Sequence, residues 1–175
     1  MEAAVNFAGV RIDKKMILLK TVIFTFLVPG TVTILLPYWL LPSRAEQLAL
    51  QFGTFRYFGV LPLVLGAATY FWCAWDFTFA GHGTPAPIDP PKELVGRGLY
   101  RYVRNPMYVG ILSILLGEAI LFASLRLLEY TVVVFIFFFA FVVFYEEPVL
   151  RRTFGESYRL YCRNVSRWIP WWARK

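Results

Sequence analysis

Four long runs of almost uncharged residues restrict what this chain can fold into. Residues 17–41, 56–76, 106–126 and 129–146 are dominated by apolar side chains, and most of them reach the ~20 residues that a helix needs to cross a bilayer. Because lipid offers the backbone no hydrogen-bond partners, each run is predicted to be helical. With 58% hydrophobic residues, the composition excludes an ordinary soluble domain. We predict one all-α integral membrane domain over residues 1–175, with about four transmembrane helices.

The positive charges alternate along these runs. Lys and Arg number four, two, four, one and seven in the five stretches outside the uncharged cores. Positively charged loops stay on the cytoplasmic side, which predicts cytoplasmic termini and a cytoplasmic loop over 77–104. The net charge of +7 therefore reflects orientation and does not indicate nucleic-acid binding. A prokaryotic plasma membrane is preferred over the endoplasmic reticulum.

Metal and disulfide chemistry have little support in the sequence. Cys73 and Cys162 are interpreted as free thiols, because one lies in an apolar run and the other in a basic tail. His82 is the single histidine, and without a His and Cys cluster we predict no metal site.

The third run is preceded by glycines, arginines and an Asn-Pro pair. Gly96 and Gly98 permit close backbone approach, although by themselves they also fit a plain loop. Asn105 and Pro106 predict a helix start, whose free N–H groups together with Arg104 could bind a carboxylate or phosphate. The alternative is a positively charged flank at an ordinary helix start.

Two adjacent carboxylates, Glu146 and Glu147, follow the fourth run. Pro148 disfavours helical geometry at Glu147, so the run is predicted to end there. Two glutamates at a basic membrane face need a cation, which is either an arginine or a cationic ligand. Residues 148–165 predict an amphipathic helix on the cytoplasmic surface. The short connection between the last two runs predicts an antiparallel hairpin, and the charge pattern places both polar stretches at one membrane face.

Glu118 is expected midway along the third run. An ionisable group inside a span is a functional hypothesis by default, although a protonated or paired carboxyl that packs the bundle fits equally well. A non-catalytic transporter or assembly protein that uses Glu118 as a polar relay is the alternative from a different functional class.

Both polar stretches resemble one family. Arg104-Asn105-Pro106-Met107-Tyr108-Val109-Gly110 resembles a motif of the isoprenylcysteine carboxyl methyltransferases. Glu146-Glu147-Pro148, with Phe154-Gly155, Tyr158, Tyr161 and Trp168-Ile169-Pro170, resembles their C-terminal signature. The related phospholipid methyltransferases share a GxG element and a Glu-Glu pair, to which Gly96/Gly98 and Glu146/Glu147 are similar. The resemblance covers roughly residues 90–170.

The resemblance implies an integral-membrane enzyme that transfers methyl from S-adenosylmethionine to a lipophilic or amphipathic acceptor at the cytoplasmic face. The resemblance makes Glu146 and Glu147 the candidates for binding the cationic end of the cofactor and for catalysis. The implied cofactor-binding residues are Gly96, Gly98, Tyr100, Arg104, Asn105, Pro106, Tyr108, Glu146, Glu147 and Tyr158.

The acceptor stays open at this stage. Many relatives carry an arginine where Asn164 stands, so Arg163 becomes the candidate for a substrate carboxylate, with Arg167 on the other flank. This departure weakens prenylcysteine as acceptor and keeps phospholipid amine N-methylation as the alternative. The implied partners are lipid and membrane, with no metal and no nucleic acid.

Overall fold

The computed structural model describes residues 14–41, 53–79 and 96–170. The α-helices in these ranges are α1 Lys14–Leu27, α2 Leu36–Leu40, α3 Val60–Phe79, α4 Pro106–Leu121, α5 Leu125–Phe141 and α6 Glu147–Asn164. π-helical turns occupy Thr31–Leu35 and Val142–Glu146, and 3₁₀ turns occupy Gly53–Gly59 and Gly98–Arg101. The predictions that concern His82, most of the loop 77–104 and the two chain ends lie outside the described residues.

Within those ranges the protein is all-helical, as predicted. Ile17–Leu40, Gly53–Thr78 and Leu125–Asn164 are long and apolar enough to cross a membrane. α4 is apolar but has 16 residues, which corresponds to about 24 Å against a hydrocarbon core of about 30 Å. Three helices in the described ranges thus have the length and composition that a crossing needs, and four crossings stay a prediction.

The first helix widens before Pro37. The π turn Thr31–Leu35 leads directly into α2, and the Leu36 amide donates to the Thr31 carbonyl. Proline has no amide hydrogen, so the regular bond pattern cannot continue through Pro37, and a π turn is one way to absorb that loss. The first run is thus widened locally at this π turn.

α3 and α4 pack backbone against backbone through glycines. A Cβ at Gly66 would lie 2.5 Å from the Gly110 carbonyl oxygen, and a Cβ at Gly117 would lie 2.6 Å from that of Gly59. Gly59 and Gly66 are two helical turns apart, and so are Gly110 and Gly117. Each pair therefore lies on one face of its segment. Without a hydrophobic driving force in lipid, such small-residue faces are what let membrane helices associate closely.

The turn between α4 and α5 comes earlier than predicted. α4 ends at Leu121 and α5 begins at Leu125, with Ala123 at φ 48° between them. The Ser124 hydroxyl caps α5 by accepting from the Leu127 amide at 3.3 Å. The predicted bounds 106–126 and 129–146 are therefore wrong at this turn, because apolar residues continue through it and hydropathy cannot locate the cap. Glu118 consequently lies in the last turn of α4, and its predicted position midway along the helix is wrong.

The predicted helix end at Glu147 is also wrong. Glu147 has helical φ and ψ of −61° and −41°, and the π turn Val142–Glu146 joins α5 to α6 without a break. Pro148 sits in the first turn of α6, where its missing N–H is tolerated. α6 itself kinks at Gly155, which adopts φ 53° and ψ −123°.

Candidate functional site

The candidate site lies where the segment before α4 meets the segment after α6. Val103 and Ser166 form an isolated parallel β-bridge, and the Arg104 amide donates to the Ser166 carbonyl at 2.8 Å. The Tyr161 hydroxyl donates to the Tyr100 carbonyl at 2.7 Å. Two stretches that are distant in sequence are thus joined through the main chain, and the polar side chains of both are held at one end of the helical bundle.

α4 begins at Pro106 as predicted, but the side chain of Asn105 does not cap it. Pro106 occupies the first turn of the helix, and Asn105 precedes it with φ −124° and ψ 51°. The Asn105 amide is buried and donates to the Arg167 carbonyl, with an N···O distance of 3.1 Å. Asn105 therefore fastens the C-terminal segment to the start of α4.

The Glu147 carboxylate is buried among arginines. Arg167 binds both of its oxygens, Nε to Oε1 at 2.7 Å and Nη2 to Oε2 at 3.0 Å. Arg104 donates from Nη1 to Oε1 at 3.0 Å, and Arg151 approaches Oε2 at 3.5 Å. Only 4% of Glu147 is exposed. Of the two kinds of cation expected beside the glutamate pair, arginine is the one found at Glu147.

These contacts also affect Arg104 and Arg167. Hydrogen bonding to the Glu147 carboxylate raises the pKa of the Arg167 guanidinium above its usual value, so this guanidinium stays charged. Arg104 donates a second bond to the Cys162 sulfur at 2.9 Å. Its Nε is buried without a hydrogen-bond partner in the described part of the chain. The Arg104 Nε is thus a donor without an acceptor among the described residues.

Glu146 has a different environment from Glu147. The Tyr108 hydroxyl donates to its Oε2 at 2.8 Å. The Tyr108 ring packs against Phe138 and Trp168, with ring centroids 4.7 Å and 6.4 Å away. Among the described residues no arginine is paired with Glu146, and its carboxyl lies beside aromatic rings.

α3 packs against residues 96–101, here called the glycine segment, which precede the start of α4. Tyr100 is buried against Cys73 and Phe77, and its ring meets that of Phe77 at 5.4 Å. Burial raises the pKa of the Tyr100 phenol well above its usual value, so it stays neutral. Gly98 adopts φ 57°, and a Cβ there would collide with the Asp76 carboxylate. The positive φ favours glycine at this position, and the Asp76 side chain would have to move to admit a Cβ.

Two of the predicted site residues stand apart from this arrangement. Gly96 is exposed, with open space where a Cβ would lie. Arg163 is exposed on α6, and its side chain makes no hydrogen bond or ion pair with another described residue. Tyr158, in contrast, is buried and packs against Tyr161 at 6.1 Å between ring centroids.

Comparison with known families gives one match. A family model described as phospholipid methyltransferase matches residues 54–157, more than half of the chain. The chain belongs to this family. No curated protein and no solved structure matches the chain. The phospholipid methyltransferases share a superfamily with the isoprenylcysteine carboxyl methyltransferases, so the predicted resemblance is confirmed at that level, and methyl transfer at a membrane is the activity that the family implies.

The phospholipid methyltransferase match includes several residues of the site but ends before Arg167. Arg104, Tyr108, Glu146 and Glu147 fall inside it. Arg167, which binds both oxygens of Glu147, follows its last residue. The C-terminal segment beyond the match therefore completes the cluster around Glu147.

Three residues of the site were missed or underrated from sequence. Asp76 was not among the predicted site residues, Arg167 was considered only as a flank of Asn164, and Trp168 only as part of the C-terminal signature. No sequence signal distinguished Arg167 from Arg163, because the choice depends on where the chain turns after α6. Among the described residues there is no group of three His, Cys, Asp or Glu side chains that could hold a metal.

Proposed function

We propose that this protein transfers a methyl group from S-adenosylmethionine to a lipophilic acceptor at the cytoplasmic face of a membrane. The observation that carries the proposal is the convergence of Arg104, Glu146 and Tyr108 at one end of the α4–α5 hairpin, in a chain of the phospholipid methyltransferase family. No other cluster of polar side chains of this size is found in the described part of the chain.

The charges of the site match those of the cofactor. S-adenosylmethionine carries a carboxylate, an ammonium and a sulfonium. The guanidinium of Arg104, close to the start of α4, suits the carboxylate. Glu146, with the rings of Tyr108 and Trp168 beside it, suits a cationic centre. Glu147 already binds Arg104 and Arg167, so we propose that its role is to hold these arginines in place.

The reaction is an in-line displacement. The acceptor heteroatom forms a bond to the methyl carbon while the carbon–sulfonium bond breaks, and the electron pair remains on a neutral thioether sulfur. The protein contributes mainly positioning and exclusion of water. An amine acceptor must also lose a proton, for which Glu146 is better placed than Glu147, whose charge is already shared with guanidinium groups.

A phospholipid amine is the first acceptor to test, because the family model describes phospholipid methylation. A prenylated cysteine is the second acceptor to test, because the RNPMYVG motif resembles a motif of the isoprenylcysteine carboxyl methyltransferases. Arg167 is bound to Glu147 and Arg163 is exposed, so neither is held ready for a substrate carboxylate, and this favours the phospholipid amine. Methylation of phosphatidylethanolamine but not of a prenylcysteine by purified protein would decide between them.

Replacement of Glu146 by glutamine is expected to weaken binding of S-adenosylhomocysteine and S-adenosylmethionine at least tenfold, since a charged hydrogen bond is worth about 1.5–3 kcal/mol. Isothermal titration of protein in nanodiscs measures this. Glu156→Gln is the matched control, because Glu156 is exposed and pairs only with Arg159 among the described residues. Equal affinity of the Glu146 variant and the control would contradict the assignment of Glu146.

The same titration addresses the non-catalytic alternative. The observation in its favour is a cavity of about 530 Å³ between α1, α3 and α4, lined by apolar side chains and by Glu118, whose Oε2 is buried without a partner among the described residues. A relay at Glu118 predicts a flux that Glu118→Gln abolishes. Methyl transfer predicts that Glu118→Gln leaves cofactor binding unchanged.

The proposed orientation makes a separate prediction. A cysteine at Gly96 is expected to react with a membrane-impermeant maleimide from the cytoplasmic side, and a cysteine at Phe55 from the opposite side. Both positions are exposed, at opposite ends of α3 and its preceding turn. Labelling of inside-out and right-side-out vesicles, compared with the wild-type protein, measures it. Reaction of both variants from the same side would contradict the orientation.

A further inference from the structure

An open groove of about 370 Å³ follows the outer side of the α4–α5 hairpin. It is lined between Val109 and Leu116 on α4, between Leu128 and Phe135 on α5, and by Trp168 of the segment after α6. Several of these side chains, Leu116, Leu128 and Phe135 among them, are exposed. Because α5 belongs to a helix that is long and apolar enough to cross a membrane, the groove opens toward lipid.

The surface of the groove is apolar. Its two hydroxyl-bearing residues donate to carbonyls of their own helices, Ser113 to Val109 at 2.8 Å and Thr131 to Leu127 at 2.7 Å. These hydroxyls are therefore satisfied without a ligand. Val109 and Leu116 are seven positions apart on α4. That separation is about 10 Å along the helix, whereas one leaflet supplies about 15 Å of hydrocarbon. The groove thus has the surface and the length that suit most of one acyl chain.

Trp168 joins the groove to the candidate site. Its ring centroid lies 5.6 Å from that of Phe135, which lines the groove, and 6.4 Å from that of Tyr108. The Tyr108 hydroxyl in turn donates to Glu146 Oε2 at 2.8 Å. Val109 lies in the first turn of α4, so the groove begins at the site and leads away from it along the hairpin. Tryptophan is favoured at the level where acyl chains meet headgroups, which is the place that Trp168 occupies between the groove and the polar residues.

We propose that this groove holds one acyl chain of the lipid acceptor, a phospholipid whose amine headgroup lies beside Glu146. This inference rests on the proposed function. Such a phospholipid is apolar in its chains and carries a cation in its headgroup. The protein presents an apolar groove, aromatic rings and a carboxyl in the same order. A chain held in the groove keeps the headgroup beside the cofactor, so the groove contributes to positioning of the reacting amine.

The test fills the groove at one of two neighbouring valines. Val132 lines the groove and Val133 lies outside its lining, although their exposures of 51% and 62% are similar. Val132→Trp therefore blocks the groove, and Val133→Trp makes the same change beside it. Each protein, in phosphatidylcholine nanodiscs, is given a phosphatidylethanolamine that carries a diazirine midway along one acyl chain. After irradiation, mass spectrometry maps the crosslinked peptides. Labelling of the groove residues of α4 and α5 is expected to fall at least tenfold in Val132→Trp and to stay at the wild-type level in Val133→Trp.

Competition on the wild-type protein gives a result that does not depend on whether a variant folds. Unlabelled phosphatidylethanolamine is expected to remove the labelling of the groove, and phosphatidylglycerol is expected to leave it. Displacement by both lipids would overturn the inference, because the groove would then hold a chain of any surrounding lipid. Equal labelling of the groove in the two valine variants would also overturn it, and the proposed function would stand. Failure of the wild-type protein to bind S-adenosylhomocysteine contradicts the proposed function, and the identification of the bound lipid as the acceptor falls with it.

Discussion

Replacement of Gly66 by alanine is expected to lower the free energy of unfolding by about 3 kcal/mol, at the upper end of the usual cost of overpacking. The added Cβ would lie 2.5 Å from the Gly110 carbonyl oxygen and 2.8 Å from the Ile114 amide nitrogen. Both are backbone atoms of α4, so no side chain can rotate away, and the two helices must separate. In a chain of this size the apparent melting temperature should fall by about 10 °C.

Gly96→Ala is the matched control for this prediction, because it makes the same chemical change. Gly96 has no atom within 4 Å of the added carbon, and its φ lies outside the positive range. An exposed substitution of this kind changes stability by no more than about 0.5 kcal/mol. Thermal unfolding in detergent, followed by tryptophan fluorescence, gives both values. Similar melting temperatures for the two variants would show that α3 and α4 do not pack through these glycines.

Gly117→Ala provides an independent check at the other end of the same contact. Its Cβ would lie 2.6 Å from the Gly59 carbonyl oxygen. Because the two glycine contacts lie on one helix pair, the double variant with Gly66→Ala is expected to cost less than the sum of the single variants, since the helices separate once.

The glycine contact also illustrates what sequence reasoning can and cannot predict here. Hydropathy predicted the apolar helices, and the Asn-Pro pair predicted the start of α4 at Pro106, since these signals are local. Glycines spaced two turns apart in the second and third runs were visible in the sequence. Their pairing was not, because it depends on which helix faces which.

The two misplaced boundaries have separate physical causes. The turn before Leu125 contains apolar residues, so only the Ser124 cap and the positive φ of Ala123 mark it. Pro148 is a helix breaker in general, but at the first turn after a π-helical widening it causes no break. In both places the outcome depends on a backbone conformation of one or two residues, which composition does not determine.

The contact between the two polar stretches was easier to predict from the sequence than the partner of each side chain. Charge alternation placed the glycine segment and the glutamate pair at one face, and contacts such as that of Tyr161 with Tyr100 hold these stretches together. The partner of Glu147 could not be deduced, since Arg167 and Arg163 differ in sequence only by their distance from the end of α6. Tertiary contact alone distinguishes the buried arginine from the exposed one.

Replacement of Glu147 by glutamine is expected to destabilise the protein by about 3–5 kcal/mol, because guanidinium groups that share a buried carboxylate are left uncompensated. Arg104 and Arg167 lie within 3.0 Å of its oxygens, with side-chain exposures of 12% and 30%. Glu156→Gln removes an exposed pair with Arg159 and should cost less than about 1 kcal/mol. Thermal unfolding in detergent measures the difference between the two variants.

A second comparison separates the structural role of Glu147 from a direct role in binding. If Glu147 acts by holding arginines, replacing it together with Arg167 by methionine should recover part of the stability lost in Glu147→Met, because the uncompensated cation is removed as well. A Glu147→Gln variant that keeps its melting temperature but loses S-adenosylhomocysteine would instead place Glu147 in contact with the cofactor. We expect the reverse. Glu147→Gln should lower the melting temperature, and binding of S-adenosylhomocysteine should fall only in proportion to the unfolded fraction. Glu146→Gln, whose partner is the neutral Tyr108, should lose binding while its melting temperature stays close to that of the wild type.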